Sequence, residues 1–405
     1  MSADTVEPKL RRRLTLPLLT LYGIGVTVGA GIYVLIGAVA SHARIHAPLA
    51  FVLAAIVMGL TVASYAELCA RFPVAAGEAA YVKAAFGRRW LSILTGLIMI
   101  GTGVIATATV AVGAAGYIAE FTDLSRAVII TAVIFSLALV SAWGVLESVL
   151  LACLFTVIEV GGLLLIIAAA WHAELPIGSA LFAIPPLDFA QWGGVAFASL
   201  LAFFAFTGFE DLTNMAEEAR EPERNVPIAM AITLVVTTAI YVIIAAIAVV
   251  ALPIERLAAS PAPLSLVFRE LAGISSTMIS VIAIVATLST IIAQMTMAIR
   301  VVYGLASQGD LPRVFAQVNR RTSTPVLATV AIAIMALGFA LLVPFEGLAQ
   351  ATSLATLIVF ALVNLALIKI RWSRSKAPPA AVSVPVIVPV LGFFTCIAMI
   401  VNSLL

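Results

Sequence analysis

The chain has 405 residues, of which 63% are hydrophobic and only 10% are charged, and its formal net charge at pH 7 is +2. A soluble globular domain is about half apolar and a quarter charged, so this composition excludes a soluble protein and indicates an integral membrane protein. The near-neutral charge gives no indication of nucleic-acid binding, and we expect the lipid bilayer as a partner instead.

Eleven apolar segments are long enough to cross a bilayer as helices, since a span needs about 20 mostly apolar residues. They predict an all-α polytopic membrane protein that forms one transmembrane domain over residues 1–405. Val74–Gly87 is too short and too mixed in composition to cross, and we interpret it as an amphipathic interfacial helix. The predicted spans are 14–40, 48–70, 90–119, 126–143, 147–171, 191–212, 226–252, 273–300, 325–344, 347–369 and 384–404.

The lysines and arginines fall mainly on one side of these spans. If the N-terminus is cytoplasmic, all but four of the 22 basic residues lie in cytoplasmic segments; the exceptions are Arg44, Arg126, Arg256 and Arg269. This bias predicts a multi-pass protein of the cytoplasmic (inner) membrane with a cytoplasmic N-terminus. An odd number of spans would then place the C-terminus outside.

Two carboxylates interrupt the apolar spans. Glu159 lies about midway along the fifth span, and Glu210 lies inside or near the end of the sixth. An ionisable side chain in a span is costly unless it faces the protein interior or a wet cavity, so both are candidate functional groups. The alternative for each is a protonated carboxyl that only hydrogen-bonds a neighbouring helix.

The first span contains the glycine-rich stretch GIGVTVGAGIY, Gly23–Tyr33. Gly25 and Gly29 form a GxxxG pair, which is typical of close packing between membrane helices. A dinucleotide-binding loop is excluded, because no strand precedes the stretch and no acidic residue follows at the required distance. The third interpretation is a broken helix, because glycine and β-branched residues weaken a helix and bare amides can approach a ligand closely.

A second anomaly favours the broken helix. The stretch Phe203–Glu210 falls about 15 residues into the sixth span, as Gly29–Gly31 does in the first. The first span of the half made of spans one to five starts inside, and the first span of the half made of spans six to ten starts outside. The two halves therefore have opposite topology. Interrupted helices at matching places in two inverted halves are the best sequence pointer to the binding site of a transporter.

Two broken helices suit an α-amino acid. The start of a half-helix exposes amide N–H groups and the positive end of a dipole, which favour a carboxylate. The end of a half-helix exposes carbonyl oxygens, which favour an ammonium group or Na⁺. Both ends of a zwitterion are therefore accommodated without any basic residue in a span.

In these motifs the sequence resembles the amino acid–polyamine–organocation (APC) superfamily. The likeness is closest to its bacterial amino acid permeases and its cationic amino acid transporter branch, and it covers nearly the whole chain. The most specific match is the segment Glu217–Pro227. The matching motifs are GVTVGAGIY (25–33), YAELCARFPVAAGEAAYV (65–82), FAFTGFEDLTNMAEEAREPERNVPIAM (204–230) and RVVYGLASQGDLP (300–312).

The resemblance implies a LeuT-like core of two inverted five-helix repeats, residues 14–171 and 191–369, with helices 1 and 6 unwound and one additional helix at 384–404. Many members have about twelve spans, whereas we count eleven here. The amides of the first break would bind the substrate carboxylate, carbonyls of the sixth-helix break would bind its amino group, and Phe206 would be an aromatic gate. The substrate-binding residues implied are Gly29, Ala30, Gly31, Ile32, Thr102, Phe203, Phe204, Ala205, Phe206 and Thr207.

The ion-coupling residues implied are Ser289 and Thr290, which match the place where related folds bind Na⁺, together with Glu159 and Glu210. Proton-coupled relatives carry a lysine at the position of Glu159, so the charge is reversed here. Glu159 has three possible roles: a proton carrier, a Na⁺ ligand with Ser289 and Thr290, or a counter-charge for a cationic substrate. We predict the proton carrier.

The function predicted is secondary active transport of an amino acid by alternating access, coupled to protons or working by exchange. The alternatives are a polyamine or amine carrier and a non-transporting amino acid sensor. We expect no enzyme activity, since the three histidines fall in loops and no catalytic motif lies in a span. We expect no metal site and no cofactor beyond H⁺ or Na⁺ as coupling ion, while the substrate side chain and the oligomeric state stay open.

Overall fold

The computed structural model describes residues 14–72, 77–143, 149–319, 322, 324–373 and 382–403. The basic residues Lys9–Arg13 and the start of the predicted interfacial helix, Val74–Ala76, lie outside this part of the chain. The α-helices of the described residues are α1 Leu16–Val28, α2 Gly31–Ala43, α3 Ala47–Arg71, α4 Gly77–Phe86, α5 Arg89–Ile118, α6 Arg126–Trp143, α7 Val149–His172, α8 Gly178–Leu181, α9 Phe189–Ala205, α10 Asp211–Asn214, α11 Pro222–Ala251, α12 Ile254–Ala259, α13 Pro263–Ala272, α14 Thr277–Ser307, α15 Val326–Leu342, α16 Phe345–Trp372 and α17 Ile387–Asn402.

The predicted all-α polytopic architecture is confirmed. Seven helical stretches of the described residues are long and apolar enough to cross a membrane, and four further apolar helices, α1, α9, α15 and α17, are shorter. Two of these four are short because their spans are interrupted. The segment predicted as an interfacial helix contains the helix α4, which packs against α5 and α16, and its interfacial position stays a prediction. The division into inverted repeats stays a prediction.

The first predicted span is a broken helix. α1 ends at Val28 and α2 begins at Gly31, so two residues separate the halves. Gly29 has φ +21°, a conformation that side-chain-bearing residues rarely adopt, so glycine is required at this point. The GxxxG glycines also serve packing, since a Cβ on Gly25 would overlap the Thr156 side chain of α7.

The sixth predicted span is broken as well. α9 ends at Ala205, and the chain runs through turns before the single helical turn α10. The two breaks touch each other: a Cβ on Gly31 would lie 2.5 Å from Cα of Ala205, and a Cβ on Gly208 would lie 2.7 Å from the carbonyl oxygen of Val26. Glycine at these two positions therefore allows the backbones of α1–α2 and α9–α10 to approach.

All five tryptophans lie at or near helix ends and expose their rings. This is the arrangement of an aromatic belt, in which the amphipathic indole ring sits at the membrane–water interface. The residues are Trp90 at the start of α5, Trp143 at the end of α6, Trp171 at the end of α7, Trp192 near the start of α9 and Trp372 at the end of α16.

A hairpin made of α12 and α13 covers α2 and α5 on the face of the bundle opposite α4; we call it the α12–α13 hairpin. Leu257 and Leu264 of this hairpin are fully buried. A Cβ on Gly37 of α2 would lie 2.9 Å from the carbonyl oxygen of Leu257, and a Cβ on Gly116 of α5 would overlap the carbonyl of Pro261. The backbone of the hairpin therefore packs directly against α2 and α5 at these two glycines.

A buried carboxylate joins α3, α16 and the segment before α17 on the face of the bundle that carries α4, which we call the α4 face. Glu67 of α3 is fully buried and accepts hydrogen bonds from Arg71 Nε at 2.9 Å and Arg371 Nε of α16 at 2.9 Å. Its second oxygen accepts the backbone N–H of Val384 at 2.9 Å, just before α17. Every lone pair is thus directed at a donor, which is the condition for a buried ion to stabilise a fold.

We expect Glu67→Ala to lower the stability of the protein strongly, because it leaves two partly buried arginines without their counter-charge. Breaking a buried ion pair in this way costs about 3–5 kcal/mol. Thermal unfolding of purified protein in detergent measures the effect. The control is Glu346→Ala, whose ion pair with His42 is exposed and at 3.5 Å. Equal melting temperatures for the two variants would contradict a stabilising role for this cluster.

Candidate functional site

The amino-terminal end of α2 provides amide groups at the first break. The amide of Ala30 is already used, because it donates to Thr290 Oγ1 of α14 at 2.9 Å. The amides of Gly31 and Ile32 have no acceptor among the described residues. Of the three amides predicted for the substrate carboxylate, those of Gly31 and Ile32 are therefore open in this structure, at the positive end of the α2 dipole.

The carbonyl end of the second break is also partly occupied. The Phe203 and Phe204 carbonyls accept the amides of Phe206 and Thr207, at 3.0 and 3.1 Å, and the Ala205 carbonyl accepts the Tyr241 hydroxyl at 2.8 Å. In the described residues, no hydrogen bond is donated to the carbonyls of Phe206 and Thr207. The open acceptors for an ammonium group are therefore the carbonyls of Phe206 and Thr207, two of the residues predicted for this break.

Tyr241 of α11 holds both breaks together. Its hydroxyl lies 2.8 Å from the Thr27 carbonyl at the end of α1 and 2.8 Å from the Ala205 carbonyl at the end of α9. These are carbonyls that a helix end leaves without an intrahelical donor. Sequence reasoning missed Tyr241, although a tyrosine in the middle of an apolar span is a visible signal.

We expect Tyr241→Phe to weaken substrate binding about tenfold, because an unsatisfied buried carbonyl costs about 1–3 kcal/mol and 1.4 kcal/mol is a factor of ten. Equilibrium binding of radiolabelled substrate to purified protein measures the change. Tyr303→Phe, on the exposed side of α14, is the matched control and should bind normally. A lower melting temperature with unchanged substrate affinity would show that Tyr241 serves only packing.

The predicted aromatic gate is placed differently from the expectation. Phe206 is fully buried, with its ring centroid 5.0 Å from that of Tyr241 and 6.3 Å from that of Phe51. Phe203 packs on Phe360 at 5.8 Å. These rings form an aromatic cluster at the second break, and the gate role of Phe206 stays a prediction.

Glu159 is brought to the first break, as the sequence suggested. It is 1% exposed, and Ser289 Oγ donates to its Oε1 at 2.8 Å. The Tyr33 hydroxyl of α2 donates to the backbone carbonyl of Glu159 at 2.6 Å, and the Tyr117 hydroxyl donates to the carbonyl of Tyr33 at 2.6 Å. These three hydrogen bonds join α5, α2, α7 and α14, and the one from Ser289 reaches the carboxyl group itself.

A small acidic chamber of about 30 Å³ lies beside the second break. It brings together the predicted residues Thr102, Thr207 and Glu210, and Glu210 accepts the Gly208 amide at 2.8 Å. Sequence reasoning missed the other polar residues of its lining, which are Glu78, Asp211, Gln294, Thr352 and Thr356. Of the described residues in this lining, three are acidic and none is basic.

Glu78 connects this chamber with a larger cavity of about 460 Å³ on the α4 face. Its side chain is almost fully buried, and it accepts the Tyr65 hydroxyl at 3.0 Å. Burial raises the pKa of Glu78 above the ordinary value of a glutamate. The signal in the sequence was a carboxylate between small apolar residues in α4.

The chain is similar to known proteins along nearly its whole length. A family model described as amino acid permease matches residues 14–405. The chain is 28% identical to the branched-chain amino acid permease BcaP of Bacillus subtilis, over 99% of this chain and 90% of that protein. It is 30% identical to cationic amino acid transporter 4 of Homo sapiens, over 93% of this chain and 62% of that protein. It is 28% identical to the vacuolar cationic amino acid transporter 2 of Arabidopsis thaliana, over 92% and 61%. The chain thus spans less than two thirds of these two cationic transporters.

Proposed function

The chain belongs to the amino acid permease family, and from this premise we propose that it moves its substrate by alternating access, driven by protons that Glu159 carries. Membership makes it a multi-pass membrane transporter of amino acids and not an enzyme. The observation that carries the coupling proposal is the position of Glu159, buried beside the first break with one hydroxyl partner.

The two breaks supply complementary groups for a zwitterion. The Gly31 and Ile32 amides would hold the carboxylate, and the Phe206 and Thr207 carbonyls would hold the ammonium group. The two breaks are in direct contact, since a Cβ on Gly31 would lie 2.5 Å from Cα of Ala205, and this contact supports one substrate bound by both. No basic side chain is needed, in agreement with the location of lysines and arginines at the ends of the predicted spans or outside them.

One face of the bundle is covered and the other is open, and this difference supports alternating access. The α12–α13 hairpin is seated on one face, and the 460 Å³ cavity opens on the α4 face. If the basic residues mark the cytoplasmic side, the cavity faces the cytoplasm. We take this arrangement as the state from which substrate is released inside.

The surroundings of Glu159 favour a proton over Na⁺. A Na⁺ ion would need several oxygen ligands, and Ser289 and Thr290 were the predicted ones. Thr290 already accepts the Ala30 amide at 2.9 Å and donates to the Ala286 carbonyl at 2.8 Å. A carboxyl group that exchanges a proton needs no such shell of ligands.

The test is amino acid uptake into proteoliposomes with and without a pH gradient. We expect Glu159→Gln to lose the stimulation by the gradient but to keep exchange of labelled for unlabelled substrate, which needs no net proton movement. Glu346→Gln, an exposed glutamate of α16, is the control. A full response of Glu159→Gln to the gradient would refute the proton carrier, and a Na⁺ requirement of the unmodified protein would favour the ligand role.

A second candidate concerns the substrate class. The acidic chamber, with Glu78, Glu210 and Asp211 and no basic lining residue, favours a positively charged side chain or a polyamine. Competition against labelled substrate by lysine, norleucine and cadaverine separates the cases. Lysine alone indicates a cationic amino acid, cadaverine indicates an amine carrier, and norleucine indicates a neutral amino acid. Binding without flux would indicate a sensor.

A further inference from the structure

A crevice of about 90 Å³ lies between α1, α7 and α14 and reaches the end of α6; we call it the α7 crevice. Its lining changes character along its length. Glu159, Ser289 and Thr290 lie at one end, which we call the inner end. Tyr22 and Gln294 add polar groups elsewhere, and the remaining described lining residues are glycine or apolar. The lining residues are Tyr22, Gly25, Val26, Val140, Leu151, Ala152, Phe155, Glu159, Ser289, Thr290, Ile292, Ala293 and Gln294.

The inner end of the crevice is set up to bind one cation. Glu159 is the only charged residue of the lining in the part of the chain that the structure describes. Among the described residues, a hydrogen bond reaches only one of its two carboxylate oxygens, from Ser289 at 2.8 Å. The Thr290 hydroxyl is engaged with the backbone of Ala30 and Ala286, so it does not compete for that oxygen.

The other end of the crevice opens toward the surface that lipid would cover. Leu151 is 40% exposed, and Val140 and Phe155 are partly exposed. Leu151 and Glu159 are eight residues apart on α7, which corresponds to about 12 Å along the helix. An unbranched alkyl chain of about eight carbons has a comparable length.

We propose that the α7 crevice is a binding site for a lipophilic primary amine that enters from the bilayer, pairs its ammonium group with Glu159 and lays its alkyl chain along Val26, Phe155 and Ile292. Apolar walls favour the chain, and the carboxylate favours the cation over a neutral analogue of the same length. The site is separate from the groups assigned to the substrate, which belong to the two helix breaks.

Inhibition of transport follows from occupancy and rests on the proposed function. An ammonium group paired with Glu159 keeps the carboxylate ionised, so the proton transfer that drives uptake stops. The amine should therefore lower the maximal rate of uptake without changing the apparent affinity for the amino acid. Binding itself depends only on the crevice and on Glu159.

The test uses n-octylamine as probe and n-octanol as its neutral control, with purified protein and isothermal titration calorimetry. We expect saturable binding of octylamine, at least tenfold tighter than any binding of octanol, and loss of this preference in Glu159→Gln. Leu151→Trp, which fills the mouth, should weaken octylamine binding at least tenfold. Leu154→Trp is the matched control, because Leu154 is exposed on the same helix but does not line the crevice.

Equal binding of octylamine and octanol, or equal effects of the two tryptophan variants, would overturn the inference. Its failure is distinguishable from failure of the proton-carrier proposal. If octylamine binding requires Glu159 while uptake by Glu159→Gln keeps its pH response, only the proton carrier is refuted. If Glu159→Gln loses the pH response while octylamine binds it unchanged, only the crevice proposal is refuted.

Discussion

Substitution of Gly31 is expected to abolish high-affinity amino acid binding while leaving the protein inserted and folded. A Cβ at this position would lie 2.5 Å from Cα and 2.8 Å from Cβ of Ala205, so the two helix breaks must move apart. A displacement of about 1 Å in a binding geometry can cost about a hundredfold. We therefore expect Gly31→Ala to bind substrate much more weakly and Gly31→Val to bind none measurably.

Equilibrium binding of labelled substrate to purified protein measures this effect, and size-exclusion chromatography checks the fold. Gly338→Val is the control, because a Cβ on Gly338 of α15 meets no atom within 4 Å. Unimpaired binding by Gly31→Val would show that the glycines of the first span only serve helix packing.

The second large effect is expected for Gly116→Ala, which should stop transport while the substrate site stays intact. The added methyl group overlaps the backbone carbonyl of Pro261, and a backbone atom cannot move aside by a rotamer change. Overpacking of this kind costs about 1–3 kcal/mol. The fraction of molecules in which the α12–α13 hairpin packs on α2 and α5 should therefore fall about tenfold or more. A transporter that cannot close one face cannot complete a cycle.

Uptake into proteoliposomes measures the loss of transport. A cysteine introduced at Leu257 reports whether the α12–α13 hairpin is exposed. Leu257 is fully buried, and the native cysteines, Cys69, Cys153 and Cys396, are buried as well. A membrane-impermeant maleimide should label Leu257→Cys faster when Gly116→Ala is also present. Gly101→Ala on the same helix, where a Cβ meets no atom within 4 Å, should leave labelling and uptake unchanged.

The helix breaks could be predicted because their cause is local. Gly29 and Gly31 weaken the first span, and the turn-forming Thr207–Gly208 pair interrupts the sixth, so the chain itself marks both places. The spans could be predicted for the same reason, since apolar runs of sufficient length are visible in any window. Each predicted span corresponds to a helix or to a broken pair of helices of the described residues.

The partners of the break atoms could not be predicted, because they come from distant parts of the chain. Thr290 is 260 residues away from the Ala30 amide that it accepts. Tyr241 reaches the Thr27 carbonyl across 214 residues. Only the packing of α11 and α14 against the breaks decides which amides and carbonyls stay open, and in this structure Ala30 and Ala205 are the predicted residues whose groups they engage.

The acidic chamber could not be predicted from the sequence, for a related reason. Glu210 drew attention because it lies near a span, whereas Glu78 and Asp211 are in segments where a charged residue is unremarkable. Their common function becomes visible only when α4 packs under the second break and all three carboxylates line one cavity.

The most direct measurement of proton coupling is proton movement itself. Purified protein is reconstituted into liposomes that contain a pH-sensitive dye, and the amino acid is added outside at equal pH on both sides. We predict acidification of the lumen by the unmodified protein and none by Glu159→Gln. Uptake of labelled amino acid by the unmodified protein with no change in luminal pH would contradict the proposal that Glu159 carries the coupling proton.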